Sequence, residues 1–257
     1  MRQYGLWQLR DYLMDRGTPT LIVCVLIGYV TLAPMLANAK HRIDTMPPSL
    51  IARYGGIDAA RAAAMHDING MFVRAFLGVV VFLGALFAMN GIVADDRKKG
   101  HYRFLFAKPV SPSRYYGQTF LVHWAGFVAV TCVLALIYGA VVAPLIGAQL
   151  VYVSALMFLM YAGITFALSA TARWDWLLLL AFTLFATFLW GRFAESTSVA
   201  AKLLYLLPPL HRTSEIYDAV ARGAGLKVGL LAWFAGYGVV SYVLGLVVLR
   251  YRRLAIV

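Results

Sequence analysis

Charged side chains are scarce in this sequence of 257 residues. Asp, Glu, Lys and Arg together make up 13% of it, against roughly 25% in an average soluble domain. Apolar residues make up 62%, so a soluble fold would have too little polar surface to cover its core. The composition excludes an ordinary soluble domain and predicts a protein of the lipid bilayer.

Acidic residues are missing from the long apolar blocks of the chain. All 11 of them lie between the blocks or at their edges. Carriers driven by protons or sodium place ionisable groups inside the membrane, so this absence disfavours ion-coupled transport. His123 is the only histidine within a block, and we interpret it as an interface anchor or a satisfied polar group rather than a proton relay.

Sequence motifs for catalysis and nucleotide binding are also absent. The chain contains no HExxH, no GxSxG and no GxxxxGK[ST], so it lacks the parts for metal hydrolysis, acyl transfer and phosphate binding by a P-loop. Cys24 and Cys132 both lie in apolar blocks, which leaves no disulfide framework and no paired-cysteine zinc site. We therefore expect no catalytic residue, cofactor or metal in this chain.

Six apolar blocks remain, each close to the roughly 20 residues that cross a hydrocarbon core of about 30 Å. Unpaired backbone groups are not tolerated in lipid, so the blocks must be helices. The sequence predicts an all-α membrane protein in which residues 1–257 form a single transmembrane domain. The predicted spans are residues 19–38, 71–94, 119–143, 149–171, 176–191 and 228–249.

Basic residues decide the predicted orientation. With six spans, 13 of the 23 Lys and Arg residues fall on the side of the termini, where they occupy the shorter total length of chain. The positive-inside rule then places both termini in the cytoplasm of a cell membrane that the chain crosses several times. Charge at the ends of spans, in contact with anionic lipid, accounts for most of the net charge of +12 without a nucleic-acid partner.

The segments outside the spans show patterns of their own. Leu6, Leu9 and Leu13 recur at helical spacing and predict an amphipathic helix over residues 1–18 that lies along the interface, although an ordinary juxtamembrane anchor fits equally well. The first outer loop, 39–70, is expected to hold a short helix that opens at Asp58.

The second outer loop covers residues 192–227. Its apolar stretch, residues 199–207, is too short to span and indicates a re-entrant or interfacial segment. A short helix over about 214–222 should follow, with Gly223 as its terminator.

The polar loop of residues 95–118 contains the most specific pattern. It opens with charged residues and continues with the short apolar stretch 104–107, which Pro109 ends. Ser111 can then cap a new helix whose first residue is Pro112 and which runs into the third span. This arrangement predicts a short helix that projects from the membrane with exposed aromatic residues, a surface suited to a docking partner.

This loop resembles the cytoplasmic loop of ABC-2 type permeases, the membrane subunits of many bacterial ABC exporters. The similarity lies in the pair Asp96-Arg97, then Gly100, the run Pro109-Val110-Ser111, and Arg114. The order of six spans and the broken segment before the last span also look like this family. The resemblance implies a permease with a cytoplasmic coupling helix in the loop and re-entrant helices between spans five and six.

The resemblance further implies partners. A separate nucleotide-binding subunit would bind ATP and Mg and would seat on the coupling helix, and a second permease copy would complete a homodimer or a heterodimer within the membrane lipid. By this resemblance, the residues expected to couple to the ATPase are Asp95, Asp96, Arg97, Gly100, Phe104, Leu105, Pro109, Ser111 and Arg114.

Two other functions stay open on the sequence. An ATP-independent channel or facilitator would also explain spans without charge, and a structural or assembly subunit of a membrane complex would explain the docking loop. The substrate is not encoded in a recognisable motif.

Overall fold

The computed structural model describes residues 6, 9, 10, 12–89, 92, 93, 111–141, 147–171, 175–193, 202 and 204–251. Within these ranges the chain is helical and contains no strand, which confirms the predicted all-α class. The helices are α1 (Thr18–Asp44), α2 (Pro48–Tyr54), α3 (Ile57–Met89), α4 (Pro112–Val141), α5 (Gly147–Thr171), α6 (Asp175–Phe193), α7 (Thr213–Ala221) and α8 (Val228–Tyr251).

Four of the described helices are long and apolar enough to cross a membrane. The qualifying stretches are Ile57–Met89, Pro112–Ala140, Ala148–Thr171 and Val228–Tyr251. The apolar part of α6, Leu177–Phe193, is shorter. α1 has 27 residues and therefore a length of about 40 Å at 1.5 Å per residue. The protein is thus a membrane protein by the length and composition of its helices.

Side-chain contacts show that α3 and α4 run in opposite directions. Nδ1 of His123, in the first half of α4, lies 2.8 Å from the carbonyl oxygen of Ala88 at the end of α3. At the other end of the pair, Tyr138 Oη donates a hydrogen bond of 2.6 Å to Asn69 Oδ1. We name the two ends of the bundle after these landmarks: the Ser111 end, where α4 begins, and the Asn69 end.

α5 and α8 run parallel and pack more closely than any other pair of described helices. A Cβ atom placed on Gly163 would lie 2.4 Å from the carbonyl oxygen of Gly238, and one on Gly245 would lie 2.5 Å from the ring of Phe166. Small residues allow this close approach, which favours helix association in lipid through packing alone. We call the contact of Gly163 and Gly238 the glycine seam.

The other helices alternate in direction around this pair. Tyr12, just before α1, packs against Gly126 at the middle of α4, and Gly17 lies beside Val130 further along, so that α1 runs in the same direction as α4. α6 runs back to the Asn69 end, because its Trp190 stacks on His211, close to the start of α8. α8 then returns to the Ser111 end, where the described chain finishes at Tyr251.

The first predicted outer loop, residues 39–70, is mostly helical in the structure. α1 continues to Asp44, and α3 begins at Ile57 and does not break until Met89, instead of forming a short helix separate from the span. Its 33 residues cover about 50 Å, longer than the roughly 30 Å core. Alanines, which favour helix, are frequent in residues 59–64, and they extend the helix beyond the apolar block.

Gly55 and Gly56 form the break between α2 and α3. Both have positive φ, 82° and 124°, a conformation that suits glycine.

The predicted interfacial helix, residues 1–18, falls largely outside the described residues. Where the structure describes it, Tyr12 and a π-helical turn, Leu13–Gly17, continue directly into α1 without a break. A π-turn is a common site of helix bending. The ring of Tyr12 is buried, and Leu13 packs against the core, so this stretch belongs to the bundle rather than lying apart from it.

Candidate functional site

Most of the predicted coupling loop, residues 95–110, lies outside the described residues. This applies to Asp95, Asp96, Arg97, Gly100, Phe104, Leu105 and Pro109, whose expected role stays a prediction. Ser111 and Arg114 are described. Both are exposed at the start of α4, at the same end of the bundle as Tyr251.

The start of α4 forms as the sequence predicts. Pro112 is the first helical residue, and the carbonyl oxygen of Ser111 accepts the N–H of Tyr115 at 3.1 Å. From there α4 continues for 30 residues without interruption. A segment attached at Ser111 is therefore rigidly connected to the interior of the bundle.

The first turns of α4 are clamped between α5 and α8. Phe120 stacks on Tyr242 of α8 at a centroid distance of 4.4 Å and meets Phe166 of α5 edge-on at 5.5 Å. Tyr242 Oη also donates a hydrogen bond of 3.3 Å to the carbonyl oxygen of Gly117. Any displacement of α4 at the Ser111 end must therefore act on both helices of the glycine seam.

A second candidate site lies at the opposite, Asn69 end. Here α3 and α7 border an open cleft of about 470 Å³. One face of each helix lines it, and the lining residues are His66, Asp67, Gly70, Met71, Arg74, Asp218, Ala221 and Arg222. The space beside Gly70 is open, because a Cβ atom placed on this residue would meet nothing within 4 Å.

An ion pair links the two helices across the cleft. Arg74 Nη2 donates to Asp218 Oδ1 at 2.7 Å, and Arg222 Nε donates to the carbonyl oxygen of Asp218 at 3.1 Å. The side chains of Arg74 and Asp218 are 62% and 40% exposed, so solvent screens the pair and limits its stabilisation to about 1 kcal/mol or less. The pair positions α7 more than it stabilises the fold.

Glu215 on α7 forms ion pairs with residues just before and just after this helix. Its carboxylate accepts hydrogen bonds from Arg212 Nε at 2.8 Å and from Lys227 Nζ at 3.2 Å. These two donors, Arg212 first, hold the pKa of Glu215 below its ordinary value. Lys227 immediately precedes α8, so that the carboxylate ties α7 to the start of that helix.

Aromatic rings surround His211 next to this network. The imidazole stacks on Trp190 at 3.5 Å between centroids and meets Trp233 edge-on at 6.1 Å. Burial, and then the positive charge of Arg212, lower the pKa of His211, while Glu215 opposes them. The neutral ring is therefore the favoured form in this setting.

The sequence predicted part of this region. The short helix expected near residues 214–222 is α7, Thr213–Ala221, and Gly223 follows it with a φ of 63°. Arg74, near the start of the predicted second span, pairs with Asp218, 144 residues further on. The cleft itself was missed. The only indication of it in the sequence was that Asp67 and Arg74 lie seven residues apart, just before a long uncharged apolar run.

No group of three His, Cys, Asp or Glu side chains in the described ranges is placed to hold a metal ion. No family model matches the chain, and neither a curated protein nor a solved structure matches it. Its function must therefore be inferred from its own residues.

Proposed function

We propose that this chain is the permease subunit of an ATP-binding cassette transporter, an exporter of the ABC-2 type. In this proposal it works with a separate ATPase subunit that binds ATP and Mg, and with a second permease copy in a bacterial cell membrane. The observation that carries the proposal is the loop of residues 95–118, whose Asp96-Arg97, Gly100 and Pro109-Val110-Ser111 pattern resembles the loop of that family.

Six spans are part of the proposal. α1 and α6 would join the four candidate spans. α1 is long enough to cross, and α6 would cross because it lies between the end of α5 and the start of α8, two helices that run parallel. The alternating directions support an even number of crossings, with Ser111 and Tyr251 at one end of the bundle. The basic residues of this side favour the cytoplasm, which is where an ATPase would dock.

The geometry of α4 supports a coupling role for the loop. From Ser111 to Tyr138 the helix rises about 40 Å. A tilt of about 5° at the Ser111 end would move the other end of such a rod by roughly 3 to 4 Å. That other end contacts α3 through Tyr138 and Asn69, so that a movement of the loop reaches the opposite side of the membrane.

Two substitutions test the coupling role. In the complex purified with its ATPase, we expect Arg97→Ala and Pro109→Ala to lower transport-coupled ATP hydrolysis by roughly ten-fold, the effect of losing a buried interfacial contact. Lys99→Ala is the matched control, because Lys99 is a basic residue of the same loop outside the pattern of the resemblance, and its loss should leave coupling unchanged. Membrane insertion, measured by the yield of folded protein, should be equal in all three variants.

Two results would contradict the proposal. Normal coupling in both Arg97→Ala and Pro109→Ala would remove the loop from the transmission path. Purification of the complex without any P-loop ATPase, combined with substrate flux in nucleotide-free vesicles, would instead establish an ATP-independent channel.

A further inference from the structure

The cleft at the Asn69 end lies at the depth of the lipid headgroups. On α3, Arg74 is the last charged residue before an uncharged run that continues through Met89. On the other side of the cleft, Lys227 is the last charged residue before α8, whose next charge is Arg250. Lys and Arg at the ends of apolar helices mark the boundary between membrane and water.

Some of the charged side chains of the cleft form ion pairs, and others do not. Arg74 and Asp218 neutralise one another. Among the described residues Asp67 has no ion-pair partner, and the guanidinium of Arg222 donates only its Nε, to a backbone carbonyl. One carboxylate and one guanidinium thus remain for a ligand that carries a cation and an anion together, and His66 stands beside them.

An apolar path leads from the cleft toward the membrane interior. Met71 lines the cleft, and below it Ala75, Val79, Leu83 and Phe87 follow at intervals of four residues along the same helix. All of them are exposed in the chain, Phe87 by 59%. If a lipid headgroup occupied the cleft, the acyl chains of that lipid would therefore lie beside this apolar stripe.

We propose that the cleft between α3 and α7 binds the headgroup of a phospholipid that carries a primary ammonium, such as phosphatidylethanolamine. Arg222 and His66 would donate to the phosphate, and the Asp67 carboxylate would accept from the ammonium. The cleft volume of about 470 Å³ falls in the range of small-molecule sites. No Phe, Tyr or Trp ring lines it, which disfavours a choline headgroup, and Asp67 disfavours a purely anionic one.

This site does not depend on the proposed ATPase partner, and its test uses the full chain alone. The purified chain is exchanged into mixed micelles that hold equal amounts of dioleoyl phosphatidylethanolamine, phosphatidylcholine and phosphatidylglycerol, and the lipids it retains are measured by native mass spectrometry. We expect the ethanolamine lipid to be retained roughly five-fold over each of the others, the gain from one partly exposed charge contact.

Variants assign the selectivity to the cleft. Asp67→Asn should abolish the advantage over phosphatidylglycerol, and Arg222→Gln should lower retention of all three lipids while Arg222→Lys keeps most of it. Gly70→Leu, which fills the open space without a clash, should also lower all three. Arg61→Gln is the matched control, since Arg61 lies on the same helix outside the cleft and is 60% exposed.

Two outcomes would overturn the inference. If Asp67→Asn, Arg222→Gln and Gly70→Leu all retain lipid as Arg61→Gln does, the cleft does not bind a headgroup. If free phosphoethanolamine displaces the lipid completely at equal concentration, the apolar stripe contributes nothing and the site belongs to a soluble ligand. Elution of each variant at the volume of the unaltered chain shows that it is folded.

Discussion

The glycine seam allows one stability effect to be worked out from distances. In the substitution Gly163→Ala, the new methyl group would lie 2.4 Å from the carbonyl oxygen of Gly238 and 3.1 Å from its carbonyl carbon. Ordinary contacts between such atoms are near 3.4 Å, so α5 and α8 would have to separate by about 1 Å. The obstructing atoms belong to a helix backbone and cannot rotate away as a side chain could.

The expected cost follows from two opposing effects. Forcing an extra carbon into a close-packed interior destabilises by about 1 to 3 kcal/mol. Alanine is a better helix former than glycine by roughly 0.5 to 1 kcal/mol, which offsets part of that cost. We therefore expect Gly163→Ala to lower the free energy of unfolding by about 1 to 2 kcal/mol.

Gly236→Ala is the matched control. Gly236 lies on α8 as Gly238 does, but a Cβ atom there would meet nothing within 4 Å. This variant should be unchanged or up to about 1 kcal/mol more stable. Unfolding in mixed micelles of rising dodecyl sulfate content, followed by tryptophan fluorescence, measures both variants against the unaltered chain. Equal shifts in the two, or no loss of stability in Gly163→Ala, would refute the idea that backbone contact at the seam holds the helices together.

Two further predictions concern single polar side chains. Tyr138→Phe leaves the amide of Asn69, which is 2% exposed, without the hydroxyl it binds, and should cost about 1 to 3 kcal/mol in the same unfolding assay. The exposed Tyr152→Phe serves as its control, and equal stability of the two would contradict the role of this hydrogen bond. His211 should quench the fluorescence of Trp190 once it is protonated. Because the pKa of His211 is lowered in the folded protein, the neutral ring stabilises the fold fully when the pH is above 6.5, the ordinary pKa of histidine. This stabilisation is lost as the pH falls through the lowered pKa. A tryptophan titration in which His211→Gln shows the same pH step would show that another group is responsible.

Hydropathy predicted the helical class and the position of the long helices because an apolar run of bilayer length has few other stable conformations. It did not predict that α3 starts at Ile57. The polar residues Arg61, His66 and Asp67 look like a loop when hydropathy alone is read, yet nothing in them stops a helix. The break lies earlier, at Gly55 and Gly56, where the backbone takes positive φ.

The contacts that form both candidate sites could not be predicted from the sequence, for a different reason. Arg74 and Asp218 are 144 residues apart, and the partner of a charged residue cannot be chosen before the order and direction of the helices are known. The seam had a weak signal in Gly238 and Gly245, spaced seven residues apart with Ser241 between them. Many apolar helices contain such spacings without using them for packing.

The parallel arrangement of α5 and α8 has a consequence for how the chain is made. α5 is the most enclosed of the candidate spans, with 72% of its apolar window buried, yet its main partner, α8, is synthesised after all the other described helices. Gly163 leaves the ribosome 75 residues before Gly238, with α6 and α7 between them. During that interval the notch at Gly163 faces lipid or the translocation machinery. A chain that stops short of Val228 would display this unfilled notch.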